Sequence, residues 1–216
     1  MNDATVWTVV VAGGSGARFG AAKQFEQLGD RRVVDWALEA AQTASTGVVL
    51  VVPPDRVVTG EPLADVVVAG GATRSASVRA GLAAVPPEAD VVLVHDAARP
   101  LAPVALFEAV VAAVADDGAD AAVPGVAVSD TIKRVAPGGA VVETVDRTSL
   151  VAVQTPQAFR AAALRAAHER EPEATDDAAL IEAAGGRVVV VDGDARAMKV
   201  TTREDLKFAR ALVGDD

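Results

Sequence analysis

Three glycines and two cations crowd the start of this chain. In the stretch VWTVVVAGGSGARFGAAKQF, residues 6–25, Gly13, Gly14 and Gly16 follow directly on the apolar run Val9, Val10, Val11. A short β-branched run that glycines stop at once reads as a buried strand emptying into a loop. Glycine reaches positive φ and carries no Cβ, so successive N–H groups of such a loop can face one anion at close range. Arg18 and Lys23 place positive charge within reach of the same loop, which suits the phosphates of a polyanion. The two common phosphate motifs do not fit. A Walker A loop needs Gly-Lys-Ser/Thr after its spacer, whereas Gly20 is followed by Ala21, Ala22 and only then Lys23. A dinucleotide fingerprint needs G-x-G-x-x-G, and Gly14, Gly16 and Gly20 overrun its last interval by one residue. The acidic residues downstream, Asp35 and Glu39, also fall inside an expected helix rather than at a strand end. A glycine turn flanked by two solvated cations is the competing reading of the loop alone.

Composition narrows the partners. The 216 residues suffice for one sizeable α/β core, mostly aliphatic, since 51% are apolar but only 3% aromatic. A net charge of −10 argues against broad nucleic-acid binding, which needs a basic face to release counterions, and leaves small anions open where cations converge. With no cysteine, disulfides, thiolate metal sites and a cysteine nucleophile are excluded. No basic-then-apolar leader precedes the first strand and no apolar run reaches the roughly 20 residues of a membrane span, so a cytoplasmic protein is expected.

The elements that must carry the loop follow from hydrophobic spacing. Val34, Ala37, Leu38 and Ala41 predict a helix over residues 33–43, and residues 48–52 a second strand. A third apolar run at 66–68 leads to Gly70 and Gly71 and a helix from Arg74 to about Ala84. A fourth strand at 91–94 empties into His95-Asp96-Ala97-Ala98-Arg99-Pro100, followed by a helix at 103–116 and a strand at 121–128. Strands alternating with helices require crossovers, hence an α/β fold with a mostly parallel central sheet and helices on both faces. Ligands gather beyond the carboxyl ends of such strands, where both glycine pairs and the His95 segment fall. Residues 131–135 and 141–145 alternate about Pro137-Gly138-Gly139 and predict a protruding β-hairpin arm at about residues 129–152. An isolated hairpin is marginal, so a second copy of the chain is its simplest support. Helices at 161–170 and 176–184, a strand at 188–191 and a short strand at 198–201 follow. A last helix is capped by Thr201 with Glu204 or Thr202 with Asp205. The expected organisation is one domain, residues 1–216, bearing the arm.

The order of short motifs carries a resemblance across nearly the whole chain. AGGSGARFG with KQF looks like the signature loop of nucleotidyltransferases that activate sugars and sugar-like alcohols. Together with GGATRSASV and AGL, HDAARP, DTIKR, TVDR, QTPQAF, TDDAA and MKVTTREDL, it resembles the 2-C-methyl-D-erythritol 4-phosphate cytidylyltransferase family. The resemblance implies a Rossmann-like nucleotidyltransferase fold and in-line attack of a phosphate monoester on the α-phosphorus of CTP. The products would be CDP-methylerythritol and pyrophosphate, in non-mevalonate isoprenoid biosynthesis. Both reactants are anions, so fixed cations and N–H groups must offset repulsion and growing charge, without a covalent nucleophile.

By that resemblance Arg18 and Lys23 stabilise the pentacoordinate phosphorus and the departing pyrophosphate, and Ala12, Gly13, Gly14, Ser15 and Gly16 bind CTP. Gly71 and Ser77 approach the cytosine, unless Ser77 is an ordinary helix-start residue. Asp96 faces the substrate hydroxyls near the triphosphate and its Mg²⁺, or another divalent cation, which is held mainly by phosphates. Arg99 positions phosphate or substrate, with a salt bridge inside its loop as the alternative. Lys199 positions the acceptor phosphate, and Arg147 reaches the same phosphate from a partner subunit's arm, implying a homodimer with shared sites. Thr131 and Thr155 give hydroxyl contacts to the acceptor, or are strand and turn residues. His95 is read as structural, because the attacking phosphate is already ionised, and His168 falls on an expected surface helix with no functional claim. The chain departs from the family pattern at Ala22, where proline is frequent, at Ala72, where a polar residue is, and at Ala197, where asparagine is. Ribitol 5-phosphate cytidylyltransferase is the nearest rival, disfavoured by DTIKR, TVDR and the two alanines of HDAAR. A non-catalytic nucleotide-binding regulator on this fold is disfavoured by the intact cations. The stop after the last helix is expected to leave no room for a fused cyclodiphosphate synthase.

Overall fold

The computed structural model describes residues 4–14, 19–20, 22–57, 61–169 and 172–214. The β-branched run near the start forms β1 (Val6–Val11), with Val9 and Val10 buried on opposite faces of the sheet. A small hairpin of β2 (Gln27–Leu28) and β3 (Arg31–Arg32) leads into α1 (Val33–Ala44). Next come β4 (Gly47–Val52), β5 (Val66–Ala69), α2 (Arg74–Ala84), β6 (Val91–Asp96), α3 (Val104–Ala115) and β7 (Ala121–Ala127). β1 lies between β4 and β6, parallel to both, and β4 pairs in parallel with β5. One core layer packs the Val10 face against α1 and α3, and the other packs the Val9 face against α2. α2 can lie this close because of Gly81, where a Cβ would stand 2.4 Å from Val9 Cγ1 and 2.8 Å from Val51 Cγ2.

The arm is a separate two-stranded sheet of β8 (Ile132–Val135) and β9 (Val141–Val145). Its turn uses positive φ at Gly138 and Gly139, +94° and +87°, a conformation that a side chain would strain. Val135, Val141 and Val142 are 58–64% exposed, so the arm leaves apolar surface uncovered within one chain.

After the arm, β10 (Val151–Val153) and β11 (Gln157–Arg160) precede α4 (Ala161–His168), α5 (Ala178–Ala183), β12 (Val188–Asp192) and α6 (Arg203–Val213). Val153 and Asp192 both oppose Gly125, and Ala158 and Val189 both oppose Ala122. β10 and β11 therefore run along one edge of β7, and β12 along the other. Both β10 and β11 are antiparallel to β7, and β11 fills the gap between β7 and β6. Between the Val153–Gly125 and Ala158–Ala122 pairs the outer strand uses two residues more than β7, so Gln154, Thr155 and Pro156 bulge out of the ladder. The Thr155–Pro156 peptide is cis.

The bulge turns Thr155 inward beneath the end of β6. Asp96 N–H donates to Thr155 Oγ1 at 3.0 Å, and Thr155 Oγ1 lies 3.0 Å from His95 Nδ1. His95 Nε2 lies 3.3 Å from the Arg99 carbonyl, which can only accept, so the proton sits on Nε2 and Nδ1 accepts from Thr155. His95, read as structural because the attacking phosphate needs no base, is fully buried, its ring centroid 5.0 Å from that of Phe107.

Two expectations need correction, and one strand went unread. No strand forms at 198–201, because Val200 N–H donates once, to the Ala98 carbonyl at 2.8 Å, with no ladder beside it. β11 was not anticipated. His168 is not a surface residue: it is 4% exposed, and Nε2 lies 3.1 Å from Asp177 Oδ1. Of the two capping boxes, Thr202 with Asp205 forms.

Burial pushes His95 down to about 4; the neighbouring Asp96 opposes that shift and Arg99 adds to it. Between pH 6.5 and about 4 the unfolded chain binds a proton at this position and the folded chain does not. The stability involved is complete above pH 6.5 and lost as pH falls through that window, about 3 kcal/mol from this group. The thermal midpoint of His95→Gln should fall less steeply than that of the wild type from pH 6.5 to 4. Parallel melting curves over that range would show that His95 titrates alike in both states.

Candidate active site

A cavity of about 480 Å³ opens at the carboxyl ends of β1 and β6. Three backbone turns supply its wall: residues 12–14 after β1, residues 71–74 at the start of α2, and residues 96–98 closing β6. Lys23 and Lys199, far apart in sequence, both line it. A satellite core explains their meeting: Phe19, Leu28 and Val33 pack with Val200, Leu206 and Ala209, fastening the stretch around Lys23 to the stretch after Lys199.

The glycine loop is held by a side chain that the sequence reading passed over. Gln24 is buried, and its Nε2 donates to the Ala12 carbonyl at 2.5 Å and the Gly14 carbonyl at 3.0 Å. Ala12 N–H in turn donates to the Val51 carbonyl at 2.7 Å. Pinning those carbonyls shapes the loop and fixes the 3₁₀ turn Lys23–Phe25 against it. A polar residue between the lysine and phenylalanine of KQF was the available signal. Ser15, Gly16 and Arg18 lie outside the described residues.

The second glycine pair is a steric requirement. A Cβ at Gly71 would stand 2.4 Å from Ala76 Cβ, and one at Gly70 would stand 2.9 Å from Ser77 Oγ. Thr73 caps α2 by accepting Ala76 N–H at 3.0 Å, and Ser77 Oγ donates to the Thr73 carbonyl at 2.9 Å. Gly71 and Ser77 therefore both reach the cavity wall.

Asp96 is the electrostatic centre. Its Oδ2 accepts from Lys199 Nζ at 2.6 Å, and its Oδ1 lies 3.6 Å from Arg74 Nε. Burial alone would raise its pKa, but Lys199 and then Arg74 outweigh that and hold it down to about 2. The carboxylate is ionised at any working pH. Among the described residues it is the only carboxylate lining the cavity, and no cluster of three or more His, Cys, Asp or Glu side chains is arranged for a metal.

Several anticipated side chains lie elsewhere. Among the described residues Arg99 makes no loop salt bridge and is not part of the cavity lining. Nη1 donates to the Ala197 carbonyl at 2.6 Å and Nη2 to the Val153 carbonyl at 3.4 Å, so it braces the backbone that presents Lys199. Thr155 is buried with its hydroxyl committed to Asp96 N–H and His95, and offers the acceptor no outward group. Thr131 and Arg147 are exposed on the arm and do not line this chain's cavity. Arg74, which was not singled out, does line it. No helix among the described residues is long and apolar enough to cross a membrane.

Comparison with known proteins places this geometry. Residues 6–215 match the family model described as IspD, 2-C-methyl-D-erythritol 4-phosphate cytidylyltransferase. A protein of that name from Streptomyces avermitilis is 43% identical over 226 residues, covering 95% of this chain and 90% of the relative. The bifunctional enzyme IspD/IspF of Clavibacter michiganensis is 50% identical over 96% of this chain, which spans only 54% of that longer relative. The crystal structure of 2-C-methyl-D-erythritol 4-phosphate cytidylyltransferase from Thermus thermophilus superposes with a TM-score of 0.82 at 38% identity, covering 96% of this chain and 98% of that one. With its mostly parallel sheet and glycine-lined cavity, the chain belongs to the IspD family of 2-C-methyl-D-erythritol 4-phosphate cytidylyltransferases.

Proposed function

We propose that this chain transfers a cytidylyl group from CTP to 2-C-methyl-D-erythritol 4-phosphate, releasing pyrophosphate. The observation that carries the reading is the convergence of Lys23, Lys199 and Asp96 on one glycine-lined cavity. An acceptor phosphate oxygen forms a bond to the α-phosphorus as the bond to the bridging oxygen breaks, and that oxygen leaves with pyrophosphate. Two anions must approach, so the chain's contribution is positive charge and N–H groups already in place, which need no reorganisation at the moment of reaction. Lys23, with Arg18, faces the transferring and leaving phosphates, and Lys199 draws the acceptor phosphate toward the α-phosphorus. Gly71 and Ser77 take the cytosine edge. A divalent cation, Mg²⁺ or another, neutralises phosphate charge when bound and is carried mainly by the triphosphate. Asp96 is the protein oxygen it would meet, directly or through water. CTP and the acceptor are both highly charged, which fits a cytoplasmic site of action.

The arm completes the site in this reading. Its exposed valines supply apolar surface for a second copy, and Arg147 on the arm, which does not line its own chain's cavity, serves the partner's.

Pyrophosphate release from CTP should be faster with 2-C-methyl-D-erythritol 4-phosphate than with ribitol 5-phosphate; the opposite ranking would reassign the acceptor. CTP affinity without turnover on either acceptor would instead make the chain a regulator. Lys23→Ala should lower kcat on the order of a hundredfold, the scale of losing one preorganised donor, with an unaltered circular dichroism spectrum. Arg147→Ala should raise KM for the acceptor while leaving CTP binding near the wild-type value. Mixing Arg147→Ala with Lys23→Ala chains should then restore activity, because a mixed dimer holds one intact site. Lack of recovery despite proven subunit exchange would place each site within a single chain.

A further inference from the structure

A line of charged side chains continues from the cavity into the layer behind it. Beyond Lys199 and Asp96 stands Arg74, whose Nη1 donates to Asp177 Oδ2 at 2.8 Å, and Asp177 Oδ1 accepts from His168 Nε2 at 3.1 Å. The Asp177 and His168 side chains are 1% and 3% exposed. His168 Nδ1, also buried, has no partner among the described residues. None of the acceptor and nucleotide roles assigned above uses Asp177, which comes from the TDDAA motif, or His168.

Stability alone does not account for this pair. Taking a carboxylate out of water is costly even when it is paired, and replacing a buried ion pair by apolar side chains of similar volume is often neutral or stabilising. Helix electrostatics argue the same way. Arg74 opens α2, at the positive end of the helix dipole, and no acidic residue accompanies it in that first turn. A cation in that place is unfavourable for the helix and useful for an anion.

The two carboxylates also fix how the guanidinium lies. Nε faces Asp96 and Nη1 is bonded to Asp177, which leaves Nη2 unbonded among the described residues and not buried, on a side chain that lines the cavity. Arginine offers only donors, so what it can recognise is an acceptor oxygen.

We infer that Arg74 contacts the nucleoside triphosphate in this cavity, and that Asp177 is a positioning residue that aims its guanidinium, with His168 holding the second oxygen of Asp177. The inference rests on the cytidylyl-transfer reading. Wild-type pyrophosphate release and calorimetric CTP binding are therefore measured first, and a wild type that neither binds nor turns over CTP sinks that reading before any variant is compared.

The test uses the full chain with CTP and Mg²⁺, comparing Arg74→Gln, Asp177→Asn and the double variant by CTP dissociation constant, KM for each substrate and thermal midpoint. Arg74→Gln should weaken CTP about tenfold or more, as expected for a lost hydrogen bond to a charged partner, with KM for the acceptor within about twofold. Asp177→Asn should shift the CTP constant in the same direction by a smaller factor. The double variant should bind CTP no more weakly than Arg74→Gln, because residues acting through one another are not additive. A wild-type CTP constant in Arg74→Gln would overturn the whole inference. A lowered thermal midpoint with an unchanged CTP constant in Asp177→Asn, or additive losses in the double variant, would overturn the role of Asp177. If Asp177→Asn does not fold, Arg74→Lys keeps a cation for Asp177 but removes the fork. It should melt near the wild-type temperature and still bind CTP about tenfold more weakly, and unchanged binding there would also overturn the inference.

Discussion

Two cations and one carboxylate set the site. Lys199 and Arg74 would repel each other across an empty cavity, and Asp96 between them, at 2.6 and 3.6 Å, converts that repulsion into two attractions. The cost is the burial of Asp96, which Lys199 and Arg74 more than offset, as its strongly depressed pKa records. The carboxylate itself is placed by backbone: its N–H is taken by Thr155, which is locked to His95, which is locked to the Arg99 carbonyl. A chain of neutral hydrogen bonds below thus fixes the charged cluster above. The two-residue bulge between β10 and β11 exists in a place where it can deliver Thr155 to that chain.

Glycine is the second constraint. Gly70 and Gly71 let the start of α2 fold back against its own first turn, and Gly81 lets the same helix settle on β1 and β4. Any methyl at these positions would push α2 away from the sheet, carrying Thr73, Arg74 and Ser77 out of the cavity wall. The loop after β1 works differently, since among the described residues no atom lies within 4 Å of where a Cβ at Gly14 would stand. There the shape comes from Gln24, which holds the Ala12 and Gly14 carbonyls.

The parallel half of the sheet was readable because its strands are mostly apolar runs soon followed by Gly, Pro or Asp, and α1 and α3 carry apolar stripes. The antiparallel insertion was not. β11 reads Gln-Ala-Phe-Arg, too short and polar to announce itself, and it becomes a strand because β6 and β7 present open edges on both sides. Gly71 and Asp96 fall in segments beyond strand ends, where an α/β sheet collects ligands, whereas Lys23, Ser77 and Lys199 were singled out by the resemblance of their motifs. Arg99 and Thr155 sit in equally distinctive motifs yet turn inward, since spacing reports which residues are near a site and not which way they face. Arg74 was overlooked for the converse reason, standing in a helix start whose glycines drew attention. His168 misled through its charged neighbours, because Asp177, the partner that allows its burial, lies nine residues away on another element.

On the proposed reading, charge balance leaves the cavity of one chain an unfinished device. Among its described lining residues three cations, Lys23, Arg74 and Lys199, stand against one carboxylate. A nucleoside triphosphate and a phosphate monoester together bring far more negative charge than that excess can match, on a chain whose net charge is already −10. On that reading the deficit is met by Arg18, by a metal ion travelling with the nucleotide, and by a cation brought from outside the cavity. On the same reading, a hairpin that bears exposed valines and an Arg147 that does not line its own chain's cavity supplies that last charge once two chains have met. On the proposed reading, assembly and acceptor binding draw on the same arm, so apolar contact between chains becomes a precondition for electrostatic completion of the site.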